Sequence, residues 1–410
     1  MTDRCGLAAL VALAPACFNP RFGHVMCGRG DACPAEQSCN HATGFCEASD
    51  ASIADTGGSD AGPDGPIADA SLCYGTGLVR VCLASAPSKA VSYPTVTQLD
   101  TTDTAVCTQT MAQADGPELC IIAGTSVTID GALLVTGARA LVLIAAGSAT
   151  VSGTLDLSST SAGRRGAGAN QGSCANPGLG ADDTGGAGGG GGAGLGTNGG
   201  TGGTGDLNDN GPPVGQGRAG TAGVAQTMPS VLRGGCRGGD GGAGDMVHRA
   251  PGGDGGGAVY LIAGNAIHIS GDVFASGAGG GATASTPGAE QGGGGGGTGG
   301  MIGLDAPRIE ILGRVAANGG AGGGGGGGVG GSAGGDGTTT NWNAPATAGI
   351  GGGSIPGGNG APGTAIGATT SVDGSSNDGG GGGAAGGLGI IVVHGVIDGG
   401  ARMSPAPTAR

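Results

Sequence analysis

The chain has 410 residues and a formal net charge of −14, and it holds 106 glycines against 2% aromatic and 11% charged residues. An acidic balance with no cluster of Lys or Arg to neutralise phosphates excludes nucleic acid and other polyanions as partners. Glycine at this level without a strict three-residue repeat excludes collagen, and so few large side chains leave little material for a conventional globular core.

Residues 1–16, with one basic side chain (Arg4), an apolar run over 7–14 and small residues before Cys17, have the layout of an export signal and are too short to span a bilayer. Ala14-Pro15-Ala16-Cys17 predicts cleavage and lipidation at Cys17, with plain secretion as the alternative. Either route leads out of the cytoplasm. The membrane is then expected as a partner only through that N-terminal lipid, on an outer-membrane-anchored surface protein.

Loss of Cys5 with the signal and use of Cys17 for lipid leave Cys27, Cys33, Cys39, Cys46, Cys73, Cys82, Cys107, Cys120, Cys174 and Cys236. An even number in an exported chain predicts disulfides, with a pairing that sequence does not fix. Within 17–46 the four cysteines of CGRGDACPAEQSCNHATGFC have five or six residues between neighbours, without the close pairs of a zinc site, so a disulfide-held mini-domain is expected there. Arg29-Gly30-Asp31 matches an adhesion tripeptide that also recurs by chance. Residues 47–71, with regularly spaced aspartates among Ala, Gly, Ser and Pro, are too poor in apolar side chains to fold and read as an acidic tether.

Residues 72–120 contain two expected strands, near 78–83 and 91–99, and four cysteines; they read as a cap on the first coil of the repeats that begin at Ile121. From 121 to 400 one grammar recurs. A short apolar strand, a Gly corner, an alternating strand, a second Gly corner and a third strand appear in IIAGTSVTIDGALLVTG, in ALVLIAAGSATVSGTLDLSS, over 257–281 and over 299–324. Three short strands per roughly 20 residues predict an all-β chain of short right-handed β-solenoid coils. Ile121 and Leu143, 22 positions apart, mark equivalent points, and Ile267, Ile309 and Val151 are expected in one inward ladder. Glycine-rich insertions over 163–256, 277–298 and 319–386 interrupt the coils. They are expected either as disorder or as polyglycine-II segments packed through backbone hydrogen bonds, with Thr, Asn, Asp and Pro at the turns. The tail, 401–410, is expected to be loose.

Solenoid scaffolds also carry polysaccharide-active enzymes, which need grouped carboxylates and aromatic platforms. Asp272, Asp305, Glu310, Arg308 and Arg314 lie in the coils, and Asp272 and Arg314 occupy equivalent coil positions where an ion pair is the ordinary reading. His268 should face solvent. No cofactor motif is present and no catalytic residue is assigned. A weak calcium candidate, Asp206, Asn208 and Asn210, matches the first half of an oxygen-ligand loop, but Gly217 stands where its bidentate acid belongs.

The lipoprotein-like start, the Cys27 to Cys39 spacing, the Asp/Ala linker and the coil grammar followed by polyglycine together resemble the glycine-rich proteins labelled PGRS-family in myxobacteria. The resemblance spans nearly the whole chain and rests on repeat grammar. It implies an exported, surface-located protein without established enzymatic activity, and it carries over no functional residue. The sequence therefore leads to a non-enzymatic structural or adhesive surface protein whose partners are cell-envelope or extracellular polymers. The alternatives are a polysaccharide-active enzyme and an ice- or surface-binding polyglycine module.

Overall fold

The computed structural model describes residues 72–409 apart from 172–173, 175–176, 210–214, 227–228, 284–289, 338–341, 367–370, 399 and 401, together with the backbone of 37–40 and 45–48. The chain divides into two units, Met1–Ile67 and Ala68–Arg410. In the first, β1 (Gln37–Asn40) and β2 (Phe45–Ala48) form an antiparallel pair in which Cys39 is the register partner of Cys46. The expectations for the export signal, Cys17, the side chains of Cys27, Cys33, Cys39 and Cys46, and the 47–71 tether fall outside the described residues.

The second unit is all-β; its described residues form strands, turns and extended chain, with a short 3-10 turn at Thr104–Val106. No helix among the described residues is long and apolar enough to cross a membrane. The unit opens with β3 (Cys73–Tyr74), β4 (Val81–Cys82), β5 (Val91–Tyr93), β6 (Thr97–Asp100) and β7 (Gln109–Met111). Two triplets come next: β8 (Leu119–Gly124), β9 (Val127–Ile129) and β10 (Ala132–Thr136), then β11 (Ala140–Ala145), β12 (Ala149–Val151) and β13 (Thr154–Asp156). A third comprises β14 (Ala258–Ala263), β15 (Ala266–Ile269) and β16 (Asp272–Phe274). In the next, β17 (Met301–Ile311) runs unbroken through the corner and is followed by β18 (Arg314–Ala316). The chain closes with β19 (Ile390–Asp398), β20 (Arg402–Ser404) and β21 (Thr408–Ala409).

Like strands pair in parallel from one triplet to the next. β8, β11, β14, β17 and β19 form one row; β5, β9, β12, β15 and the second half of β17 form another; β6, β10, β13, β16, β18 and β20 form a separate sheet. The first two rows belong to one curled sheet because β17 is shared between them. The main core lies inside, where Ile122, Leu143, Leu261 and Leu304 from one row meet Ile129, Ile267 and Ile309 from the second and Leu133, Leu155 and Val273 from the third.

The first row is buried on both faces. Its other face, with Ile121, Val142, Tyr260 and Ile262, packs under Val79, Val81 and Leu83 of the opening segment and under Leu195 and Leu232 of the first glycine-rich insertion. Double-sided burial explains why these strands read as continuous apolar runs such as ALVLIA, while the second row alternates.

Two register expectations are corrected. The partner of Leu143 is Ile122, not Ile121, which pairs with Val142; a shift of one residue carries a side chain to the opposite face, so Ile121 belongs to the outer cluster. Val151 lies opposite Ile269, whereas Ile267 and Ile309 share their ladder with Ala149. The tail is not loose: β20 pairs with β18 and β21 with β19, and Met403 and Ser404 are buried.

The glycine-rich insertions are ordered by backbone hydrogen bonds with a period of three. The amides of Ala187, Gly190 and Ala193 donate to Glu290, Gly293 and Gly296; those of Gly293, Gly296 and Gly299 donate to Gly381, Ala384 and Gly387; those of Gly381, Ala384 and Gly387 return to Ala187, Gly190 and Ala193. Three parallel tracts thus close a cycle of donors and acceptors. Between those contacts, Gly188 and Gly191 donate to Ala181 and Gly178, and Gly189 and Gly192 to Gly203 and Gly200. Gly188 and Gly191 accept from Gly242 and Gly239, and Gly189 and Gly192 from Gly220 and Gly223. The 187–193 tract therefore touches six neighbours, three as donor and three as acceptor. A chain with three residues per turn and no internal hydrogen bonds directs its amides outward in this way.

Such close approach removes the space for side chains. A Cβ on Gly190 would stand 2.1 Å from the Gly239 carbonyl oxygen, and one on Gly383 would stand 1.9 Å from that of Gly294. Burial is possible because nearly every amide finds a carbonyl across the bundle.

Candidate functional site

A polar constellation over the strand rows lies where the opening segment crosses β14, β17 and β19. Gly303 faces Tyr260 in the ladder, and a Cβ there would fall 2.0 Å from the Tyr260 ring, so glycine leaves room for the ring to lie across the next strand. The Tyr260 hydroxyl accepts from the Leu78 amide at 3.0 Å, and burial first, then the nearby Asp305 carboxylate, push its pKa up to about 12. Asp305, 4% exposed, accepts from the amides of Thr76 and Gly77, each at 2.8 Å, and from the Thr76 hydroxyl at 2.9 Å. Gly75 holds φ +88°, which lets the loop turn into the carboxylate, and the Cys73–Cys82 bridge ties its base. Beside it, Tyr74, Ile262, Pro307 and His394 help to line a cleft of about 330 Å³. The arrangement does mechanical work, clamping the opening segment onto the strand rows through a carboxylate whose oxygens are engaged.

Asp272, Glu310 and Asp398 of the strand rows each meet a basic side chain. Asp272 and Arg314 are register partners joined at 2.6 Å, and the Arg314 guanidinium lies 5.6 Å from the Phe274 ring centre. His268 and Glu310 meet at 3.0 Å, and Arg308 reaches Asp398 at 2.9 Å, both on the exposed face. That face carries a row of Ser92, Thr128, Thr150, His268, Glu310 and Asp398, one residue per strand.

At the end of the glycine bundle remote from the strands, Asp183, Asp206 and Glu290 are buried. Burial first, then repulsion from Asp206 and Asp209, raises the Asp183 pKa; burial, then Asp206, Asp183 and Asp378, raises that of Glu290. Of the calcium candidate, Asp206 is buried in the bundle and Asn208 is exposed on a turn, while Asn210 lies outside the described residues. Among the described residues no group of three His, Cys, Asp or Glu side chains is placed to hold a metal ion.

Six of the ten expected disulfide cysteines pair as Cys73–Cys82, Cys107–Cys120 and Cys174–Cys236. The third spans 62 positions and ties the first insertion to itself. Sequence reasoning missed the clamp made by Asp305 and the buried Arg233 beside Cys236. The available signals were a tyrosine inside an apolar run and an arginine three residues before a cysteine.

No protein-family model matches the chain, and neither a curated protein nor a solved structure matches it.

Proposed function

We propose that the chain is an exported structural or adhesive protein of the cell surface. In this reading the strand triplets are coils of a short right-handed β-solenoid, and the glycine tracts are a polyglycine-II bundle standing on it. The observation that carries the proposal is the cyclic hydrogen bonding of 187–193, 292–298 and 380–387, which builds a rigid block almost without side chains. A block fixed by backbone bonds keeps its shape with few titratable or oxidisable groups, which suits display outside the cell. The three disulfides support an oxidising compartment. The export-signal layout supports a lipid anchor at Cys17, with 47–71 as the tether. The outward-facing hydroxyl row of Ser92, exposed, and Thr128 and Thr150, half-buried, supports contact with hydroxyl-rich envelope or extracellular polymers, without chemistry on them.

Mass spectrometry of the mature N-terminus tests the anchor. A diacylglyceryl group on Cys17, with release of the protein from membranes by Cys17→Ser, is expected; an unmodified amino terminus ends the lipoprotein reading. Sedimentation with purified envelope polysaccharide tests adhesion, and the appearance of cleaved oligosaccharides in the same mixture would replace the structural reading with an enzymatic one.

A further inference from the structure

Arg233 is 3% exposed, and its Nη2 lies 3.0 Å from Cys174 Sγ and 3.5 Å from Cys236 Sγ. The guanidinium is aimed by two further contacts: Nη1 donates to the Gln226 side-chain oxygen at 2.7 Å and Nη2 to the Gln171 carbonyl at 3.1 Å. A disulfide sulfur is a weak acceptor. A thiolate at the same place is a strong one, and a hydrogen bond to a charged partner is about twice as strong as a neutral one. The buried cation therefore interacts more strongly with the reduced form of this bridge than with the oxidised form. Burial lowers the Arg233 pKa, and a neighbouring anion would offset that cost.

The two sulfurs differ in access, since Cys236 is fully buried whereas Cys174 is only half-buried. We propose that Cys174–Cys236 is a thiol–disulfide exchange site for an external dithiol, with Cys174 the attacked sulfur and Arg233 the group that receives the departing Cys236 thiolate. In the first step a thiolate of the dithiol bonds to Cys174 Sγ, the S–S bond breaks, and its electron pair leaves on Cys236 Sγ beside the guanidinium. In the second, the other thiol of the reagent loses its proton and attacks its own mixed-disulfide sulfur. Cys174 is released as a thiolate that takes a proton from water, and the dithiol leaves as a cyclic disulfide. Two electrons pass from the dithiol to the protein. A lower leaving-group pKa speeds such exchange, and a neighbouring guanidinium lowers it.

Opening this bridge would untie the 62-position loop where Cys236 enters the bundle, since its carbonyl accepts from Thr298 and its amide donates to the Thr298 hydroxyl. The other two bridges are internal controls; Cys107 Sγ lies 3.7 Å from the Asp103 carbonyl oxygen, an acceptor that disfavours a thiolate.

The test treats the intact oxidised protein at pH 7 with graded dithiothreitol, traps thiols by alkylation and maps the peptides. Cys174–Cys236 should open at a concentration roughly tenfold below that needed for Cys73–Cys82 and Cys107–Cys120. Arg233→Gln should abolish that order, and Arg233→Lys should keep part of it. Simultaneous opening of all three bridges, or an unchanged order in a folded Arg233→Gln protein, overturns the proposal. Should Arg233→Gln fail to fold, the wild-type protein decides: the pH midpoint for alkylation of reduced Cys236 is expected below the free-cysteine value of about 8.5, and a midpoint at or above it overturns the proposal.

Discussion

The carboxylate of Asp305 binds Thr76 twice, through its amide and its hydroxyl, across 229 positions of sequence. With the Gly77 amide on the same carboxylate, one side chain of β17 holds three donors of the opening segment. Asp305→Ala takes the charged acceptor away from the amides of Thr76 and Gly77 at a part-buried site. A loss of about 2–4 kcal/mol is expected from the urea midpoint, against about 1 kcal/mol for Thr76→Val, which removes one hydroxyl contact. Equal losses would show that the clamp is carried elsewhere.

Ile309 and Glu310 are consecutive residues on β17 with opposite environments, the first fully buried and the second bonded to His268 on the exposed face. Ile309→Asp places a carboxylate between Ile267 and Ile397 and should cost several kcal/mol or prevent folding. Glu310→Ala should change stability by no more than about 0.5 kcal/mol. Protease resistance across a temperature series separates the two.

Gly190→Ala forces a methyl to 2.1 Å from a backbone oxygen of the neighbouring tract, whereas Ala193, one turn on, already accommodates its own. Gly190→Ala is expected to destabilise by about 1–3 kcal/mol, as overpacking does, and Ala193→Gly by about 1 kcal/mol. Hydrogen exchange at the amides of Gly239 and Gly293 should rise in the first variant. Unchanged protection there would mean that the bundle relaxes without cost.

Asp183 and Glu290 have pKa values raised in the folded protein. A carboxyl that binds its proton more tightly when folded contributes stability that is full below its unfolded pKa, about 4, and is lost as pH rises through the folded value. Asp183→Asn and Glu290→Gln remove that loss. Each variant should gain thermal midpoint relative to wild type, and gain more at pH 8 than at pH 5. The opposite ordering would mean that the charged forms are stabilised in the bundle.

The local pattern of the sequence determined the all-β class, the strand triplets, their Gly corners and the stacking of Asp272 on Arg314. Each depends on the alternation of side chains along a single strand or on equivalent places in the repeat. Register was not legible in the same way: Ile121 against Ile122 opposite Leu143, and Val151 against Ala149 opposite Ile267, differ by one or two positions. Which residue comes opposite is set by how much chain each corner consumes, and that depends on packing of the layers. The tail, expected to be loose, pairs through β20 and β21 because β18 and β19 supply an open strand edge.

For the glycine tracts, composition determined only that ordering had to come from backbone bonds, since no side chain was available to bury. Which tract meets which was invisible, because glycine carries no side chain to mark a partner. The triangle of 187–193, 292–298 and 380–387 exists because the strand rows fix where each insertion leaves and returns. The same holds for Asp305 with Thr76 and for Arg233 with Cys174. These contacts join residues distant along the chain, and only the tertiary structure brings them within hydrogen-bond reach.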